Sequence, residues 1–317
     1  MKTHAVVLER PERIRLSHID LTEAGDADVV VDLEFSGIST GTEKLLFNGQ
    51  MPSFPGMGYP LVPGYESVGR VVKAGPASRH QIGERVFVPG ARCYGEVRGL
   101  FGGSASRLVV ADDKVFTVSE ALGAEAVLLA LAATAYHTVA CGGAQEPCTP
   151  PDLIVGHGVL GRLLARMVVA AGHPAPVVWE INPARSGGAQ GYEVLAPQDD
   201  PRHDYRAIYD VSGDCGILDK AIARLSHGGE VVLAGFYSQP LSFNFAPAFM
   251  REAHIRAAAE WKRADMLAVK ELVESGRLSL SGLLTHHDLP THASDAYRTA
   301  FGDASCLKMT LDWRTMQ

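Results

Sequence analysis

The chain has little of what would place it quickly. Its 317 residues hold five cysteines, Cys93, Cys141, Cys148, Cys215 and Cys306, an odd number with no C-x-x-C pair. That spacing suits neither a disulfide framework nor a clasp of closely set thiolates, so reduced thiols in a cytoplasmic protein are expected. Positive charge is scarce too: 29 Lys and Arg stand against 36 Asp and Glu, a net charge of -7. Nothing resembles a basic stripe, which argues against a nucleic-acid partner. At the N-terminus, MKTHAVVLERPERIRLSHID carries charges on both sides of a short apolar run. That excludes a secretory signal there and reads as the start of a β-hairpin. The most apolar window, 121–141, is interrupted by Glu125, His137 and many alanines. A buried helix is expected there, not a membrane span. No transmembrane segment, internal repeat or low-complexity tract is found.

What is present suits a globular protein of two domains. Hydrophobic residues make up 46% and charged residues 21% of the chain, and its length fits two domains of roughly 150 residues each. Residues 1–118 are rich in β-branched residues and glycine, with expected strands at 3–9, 13–18, 29–37, 66–74, 85–88 and 106–111. They read as a compact, partly closed antiparallel domain. From 119 to 261 an Ala/Leu helix gives way to strands at 153–155, 177–180, 193–195, 207–211, 230–234 and 255–258, alternating with helices. That is the pattern of a doubly wound parallel sheet, an α/β fold. The tail, 262–317, is expected to form two helices (264–275 and 293–301) and a strand (308–312) and to complete the first domain.

The stretch 152–172 organises the second domain. Leu153-Ile154-Val155 breaks at Gly156-His157-Gly158-Val159-Leu160-Gly161, and apolar residues then recur at helical spacing. Strand, tight turn and helix follow one another. The first glycine permits the turn, the second lets a pyrophosphate approach the backbone, and the third lets helix pack on strand. The N–H groups of the first helical turn then face the anion. A second apolar run ends in Glu180, nineteen residues past Gly161, where a carboxylate accepts hydrogen bonds from an adenosine ribose diol. Gly156 to Gly161 with Glu180 are therefore the candidate dinucleotide site. Arg185, five residues on, suggests a 2′-phosphate, but Glu180 would repel it, so NAD is expected over NADP.

A β-rich first domain, an inserted nucleotide domain and a tail that rejoins the first resemble the medium-chain dehydrogenase/reductase superfamily, over essentially the whole chain. The resemblance implies a GroES-like N-terminal domain beside a Rossmann domain. Pro63-Gly64-Tyr65-Glu66-Ser67-Val68-Gly69-Arg70-Val71 is similar to its Pro-Gly-His-Glu-x-x-Gly-x-Val signature, and Asp210-Val211-Ser212-Gly213 to its Asp-x-x-Gly turn. Zinc-dependent members place a Cys where this chain has Ser39 and a His where it has Tyr65, and the four-cysteine lobe is missing. A zinc-free member, with no metal site, is expected. One branch is more similar still. Ser39-Thr40-Gly41-Thr42-Glu43-Lys44-Leu45-Leu46-Phe47 and the Pro/Gly-rich run from Met51 through Phe54 to Glu66 resemble the dehydrogenases that oxidise a 1-hydroxyethyl side chain of bacteriochlorophyllides to acetyl with NAD. The implied partner is that planar Mg-tetrapyrrole; the expected assembly is a homodimer.

The resemblance also directs attention to the residues that stand where the metal shell would be. Zinc lowers a bound water's pKa from about 15.7 to about 7, about 12 kcal/mol at 1.36 per unit and an upper bound on the help forgone. Positive character at the carbinol carbon spreads into the macrocycle, so a hydrogen-bonding acid/base group suffices. Tyr65 is the first candidate, with Lys44 as the cation that would lower its pKa. Thr42 and Ser39 would form a hydroxyl relay and Glu66 would orient them. A core Tyr65, a solvated Glu43–Lys44 pair and a structural His137 are the plain alternatives; bordering the nicotinamide is the other reading of His137. Gly235-Phe236-Tyr237, at the carboxyl edge of the sheet, would line an apolar cleft or belong to the core. Two other functions fit the same residues: a zinc-free quinone or enoyl reductase, which Glu180 disfavours because such enzymes prefer NADPH, and a non-catalytic redox sensor.

Overall fold

The computed structural model describes residues 1–53, 55–142 and 148–316; Phe54 lies outside them. In chain order the strands are Lys2–Arg10 (β1), Arg13–Asp20 (β2), Asp28–Ile38 (β3), Leu61–Val62 (β4), Ser67–Ala74 (β5), Arg85–Val88 (β6), Arg98–Gly99 (β7), Arg107–Ala111 (β8) and Phe116–Thr117 (β9). They continue as Leu153–Val155 (β10), Val177–Trp179 (β11), Glu193–Leu195 (β12), Tyr205–Asp210 (β13), Leu225–Leu233 (β14), His254–Ala257 (β15), His286–Asp288 (β16) and Met309–Asp312 (β17). The α-helices are Thr42–Phe47 (α1), Leu129–Val139 (α2), Val159–Ala170 (α3), Ile217–Ile222 (α4), Phe245–Met250 (α5), Arg263–Glu274 (α6) and Ala293–Gly302 (α7).

The first compact unit comprises residues 1–130 and 283–317. The expected hairpin is there: β1 and β2 pair antiparallel up to Arg10↔Arg13, and Glu12 takes φ +63° in the turn. One sheet has the order β2-β1-β4-β7 and a second β16-β17-β3-β5-β6-β9, with β8 also on β3. The Val29-Val30-Val31 run makes β3 the strand through which the second sheet is tied, because β-branched side chains suit a strand buried on both faces. These valines and Leu33 are at most 1% exposed. The tail strand β17 lies antiparallel to β3, pairing Met309 with Ile38 and Leu311 with Ser36. Its Leu311 and the following Trp313 join the same core as Val6 and Val86.

Residues 131–282 form the second unit. All its strands are parallel in the order β12-β11-β10-β13-β14-β15. The order reverses at β10, the switch point of a Rossmann sheet, outside whose carboxyl end ligands bind. Its core packs Leu153, Trp179, Ile208 and Val231 against the apolar face of α4, Ile217, Leu218, Ala221 and Ile222. The boundaries differ from those expected at 118 and 262. α6 belongs here, where Asp265 accepts from His137 Nδ1 at 2.9 Å.

The stretch Glu120–Val139 is long and apolar enough to cross a membrane by length and composition. Gly123, at φ +48° and ψ -137°, interrupts it, and Ala126, Val127, Leu128, Leu129 and Ala132 are fully buried in the protein. One expectation fails: Cys141 and Cys148 form a disulfide, their Cα atoms 5.5 Å apart, so five reduced thiols is not the state of this chain. A six-residue spacing carries no metal or redox motif that could have announced it. Cys93, Cys215 and Cys306 are free thiols.

Candidate active site

In the second unit the glycine-rich loop has the geometry its sequence demands. Gly156 sits at φ +105°, which L-residues avoid. A Cβ on Gly161 would lie 1.8 Å from the Gly156 carbonyl oxygen, so only glycine lets α3 approach the strand. At Gly158, the N-cap of α3, a Cβ would meet nothing within 4 Å. That open space borders the first turn of a twelve-residue helix with no side-chain cap, the surroundings a pyrophosphate needs. Glu180, just past β11, accepts from the N–H of His157 at 3.1 Å and of Asn182 at 2.7 Å. Two carboxylate oxygens have about four acceptor sites, so ribose hydroxyls still have room.

His157 belongs to the loop through its backbone alone. The ring is fully buried, with Nδ1 2.6 Å from the Arg185 carbonyl oxygen and Nε2 2.8 Å from the Tyr192 hydroxyl. A carbonyl only accepts, so Nδ1 carries the proton. Burial pushes the ring's pKa down to about 4, keeping it neutral. Val159 and Leu160 open α3, with Val159 buried.

The first unit gathers a second constellation from five segments. The β3 strand ends at Ile38 and turns through Ser39 into α1, whose first residues are Thr42 and Glu43. Tyr65 and Glu66 lead into β5, α7 contributes Tyr297, and Lys308 precedes β17. Ser39 Oγ and Tyr65 Oη share a hydrogen at 2.6 Å. Burial, and next the negative charge of Glu66, raise the Tyr65 pKa above its ordinary value, while hydrogen bonds from Ser39 and Thr42 oppose the rise. Lys308 Nζ donates to both Glu66 oxygens, at 2.6 and 2.9 Å, and to the Ile38 carbonyl at 3.2 Å; both side chains are at most 1% exposed. Gly37 makes room for that carboxylate, since a Cβ there would lie 2.3 Å from Glu66 Oε2. Glu43 is equally buried, accepting from the Ser39 N–H at 3.1 Å and the Tyr297 hydroxyl at 2.9 Å. Burial pushes its pKa up to about 7.

The structure therefore brings together Ser39, Thr42 and Tyr65 and corrects three expectations around them. Lys44 is not the cation of this site: its amine donates to the Phe301 carbonyl at 3.1 Å. The Tyr65 pKa is raised by burial and by Glu66 instead of lowered by a lysine. Glu66 is hydrogen-bonded to Lys308 and not to the hydroxyls of Ser39, Thr42 or Tyr65. Nor is Glu43 half of a solvated pair. Lys308 and Tyr297 escaped sequence reading, lying 242 and 254 residues from their partners in segments without a motif. In the second unit His137 is paired with Asp265, and Tyr237 donates a short hydrogen bond to Asp210, while Phe236 is half exposed. Among the described residues no group of three or more His, Cys, Asp or Glu is placed to hold a metal ion.

Comparison with known proteins agrees with this anatomy. Residues 25–120 match the alcohol dehydrogenase GroES-like domain. The 2-desacetyl-2-hydroxyethyl bacteriochlorophyllide A dehydrogenase of Rhodobacter capsulatus is 56% identical over 99% of both chains. The protein of the same name from Cereibacter sphaeroides is 54% identical over the same shares. In fold the chain is similar to the 2R,3R-butanediol dehydrogenase of Bacillus subtilis, with a TM-score of 0.83 at 20% identity over 98% of this chain and 99% of that one. The chain thus belongs to the medium-chain dehydrogenase/reductase superfamily and, within it, to the family of these bacteriochlorophyllide dehydrogenases.

Proposed function

We propose that this protein oxidises the 1-hydroxyethyl side chain of a bacteriochlorophyllide to acetyl, with NAD as hydride acceptor and without zinc. The observation that carries the reading is the Ser39–Tyr65 hydroxyl pair, in a chain aligned end to end with dehydrogenases named for that substrate. NAD, when bound, takes the hydride from the carbinol carbon. The chain's own part is to hold the alcohol and move its proton. Tyr65 accepts a hydrogen from the substrate hydroxyl while giving its own to the Thr42 hydroxyl, which is partly exposed and releases a proton to solvent, and Ser39 holds the phenol in place. A phenol whose pKa is raised does not ionise at neutral pH, so the exchange proceeds through neutral hydroxyls. The two side chains that replace Cys and His are bonded to each other, and neither is a favourable zinc ligand.

Three features favour NAD over NADP. Glu180 presents negative charge at the ribose end of the loop. Arg162 on α3 directs its Nε and Nη2 to the carbonyls of His157, Arg185 and Gly187. His157 is neutral. The direct test is to incubate purified protein with the hydroxyethyl bacteriochlorophyllide and NAD or NADP and follow the visible band, which shifts as the acetyl group conjugates with the macrocycle. We expect a shift with NAD that survives chelators; one zinc per chain with activity lost on its removal would overturn the zinc-free reading. The cytoplasm is our reading of location; the three free thiols support it, and the Cys141–Cys148 disulfide counts the other way.

We also propose a homodimer formed along β15, which ends the six-stranded sheet. Beside it Phe243, Phe245, Phe249 and Met250 are 44%, 71%, 64% and 71% exposed, and they border a cavity of about 430 Å³. Such an apolar patch on a soluble surface marks an interface. Sedimentation should show a dimer that Phe249→Glu converts to monomer; a monomeric parent protein would reject the assembly.

A further inference from the structure

The buried cluster of the first unit has unequal charges. It contains two carboxylates, Glu43 and Glu66, and one ammonium, Lys308. Lys308 lies within 2.9 Å of both Glu66 oxygens, so that pair is neutral as a unit. Glu43 is left with two neutral donors, the Ser39 N–H and the Tyr297 hydroxyl. An ionised carboxylate buried without a cation is costly, and it relieves the cost by taking up a proton. Ser39 touches both parts of the site: its N–H meets Glu43 and its Oγ meets Tyr65.

We propose that Glu43 is a positioning residue of the site, whose negative charge acts through Ser39 on Tyr65 and sets the pH dependence of alcohol oxidation. The proposal rests on the dehydrogenase reading above. In the step, the C–H bond of the carbinol breaks and its electron pair leaves with the hydride for NAD. The O–H proton passes to the Tyr65 hydroxyl and on through the partly exposed Thr42 hydroxyl to solvent, and the carbon–oxygen bond becomes a carbonyl. Glu43 stays ionised through this step, and its negative charge beside Ser39 favours the arrival of a proton on the Tyr65 hydroxyl. Protonated, Glu43 has no charge to lend, and turnover falls on the acid side. The ionisable or charged groups facing Glu43 are Tyr65 and Glu66 on the segment entering β5, Tyr297 on α7 and Lys308 before β17. Its helix neighbour Lys44 points its amine to the Phe301 carbonyl. Of these groups Glu43 is the one raised to about 7, within the range where the reaction is assayed.

The test is the pH profile of kcat, with the hydroxyethyl bacteriochlorophyllide and NAD, for the parent protein and for Glu43→Gln, Glu43→Asp and Tyr297→Phe. The parent should show turnover rising with pH through an inflection near 7. Glu43→Gln should lose that inflection and run roughly tenfold or more slower above it, with KM for NAD unchanged. Glu43→Asp should restore an inflection. Tyr297→Phe deletes a hydrogen bond that holds the Glu43 pKa down, so its inflection should move to higher pH. A merely structural Glu43 would shift thermal stability and leave every inflection in place. An inflection near 7 retained in active Glu43→Gln, or absent from an active parent protein, overturns this proposal alone. A parent protein that does not oxidise the substrate at any pH overturns the functional reading and the proposal with it.

Discussion

The second unit builds its site from backbone, and the first builds its site from side-chain charge. Around Gly156, Gly158 and Gly161 the essential feature is the lack of side chains: a positive φ, an open face and a 1.8 Å approach that no Cβ survives. Around Tyr65 the essential feature is charge balance in a dry interior, with Lys308 neutralising Glu66 and Glu43 left over. A backbone site binds an anion with little risk, because N–H dipoles are fixed by the helix that carries them. The side-chain site is costly unless every charge is answered, and the one unanswered charge becomes a group that can store a proton. The two regions should therefore fail differently when perturbed.

The largest expected effect breaks the charge balance. Lys308→Met leaves Glu66 buried without a cation, a change that costs about 3 to 5 kcal/mol in comparable pairs. Urea unfolding should show the loss, and Glu66→Gln added to Lys308→Met should recover much of it. If the single variant is as stable as the parent, water reaches Glu66 and the contrast with the second unit is weaker than drawn.

A pH effect sharpens the same contrast. The folded pKa of Glu43, about 7, lies above its ordinary 4.5. The unfolded chain therefore releases this proton first as pH rises. Stability from this group is fully present below about 4.5 and is lost as pH climbs through about 7, by on the order of 3 kcal/mol. Glu43→Gln should flatten the slope of stability between those values, read as Tm against pH. A steep slope retained in that variant would assign it to Glu66, whose pKa burial also raises.

Catalysis separates the regions next. Tyr65→Phe keeps the ring that packs edge-on against Phe101, with centroids 5.1 Å apart, and removes only the hydroxyl bonded to Ser39. Turnover should fall by at least about a hundredfold with NAD affinity nearly unchanged. Thr42→Val should do less, since water can replace part of a relay. Full turnover in the first variant with none in the second would make the phenol structural and Thr42 the path.

The same difference in construction decides what could be read without coordinates. Loop and acid of the proposed dinucleotide site lie within one strand–helix–strand unit, where glycine spacing has a direct steric meaning, and Glu180 directly follows β11. Strands such as 153–155 and 193–195 matched to the residue because their apolar runs are short and bounded by glycine, proline or polar turns. Two-residue strands such as β4 and β7 had no periodicity to reveal them. In the first unit the motif named Ser39, Thr42 and Tyr65, but charge partners across more than 240 residues leave no local pattern. Lys44 was chosen because it was near in sequence, and proximity along the chain says nothing about which cation a buried carboxylate or phenol meets.

The smallest expected effect belongs to the second unit and tests its backbone character. Glu180 accepts from the N–H groups of His157 and Asn182, so it braces the loop, and in the function proposed its remaining acceptor sites take the ribose hydroxyls. Glu180→Ala removes the brace, the acceptor and the negative charge together. Preference for NAD over NADP, which we expect to be at least tenfold in the parent, should shrink toward parity, a change of about 1.4 kcal/mol. The loop itself should persist, because Gly156 and Gly161 fix it sterically, and kcat at saturating NAD should stay within about a factor of two while KM for NAD rises. Glu180→Gln separates the contributions: it keeps one acceptor and loses the charge, so NAD binding should suffer less than in the alanine variant while rejection of the 2′-phosphate is lost to the same degree. Tighter NADPH than NAD binding by the parent protein would show that charge at Glu180 does not set the choice. A collapse of kcat in Glu180→Ala would show that this loop depends on a side chain after all.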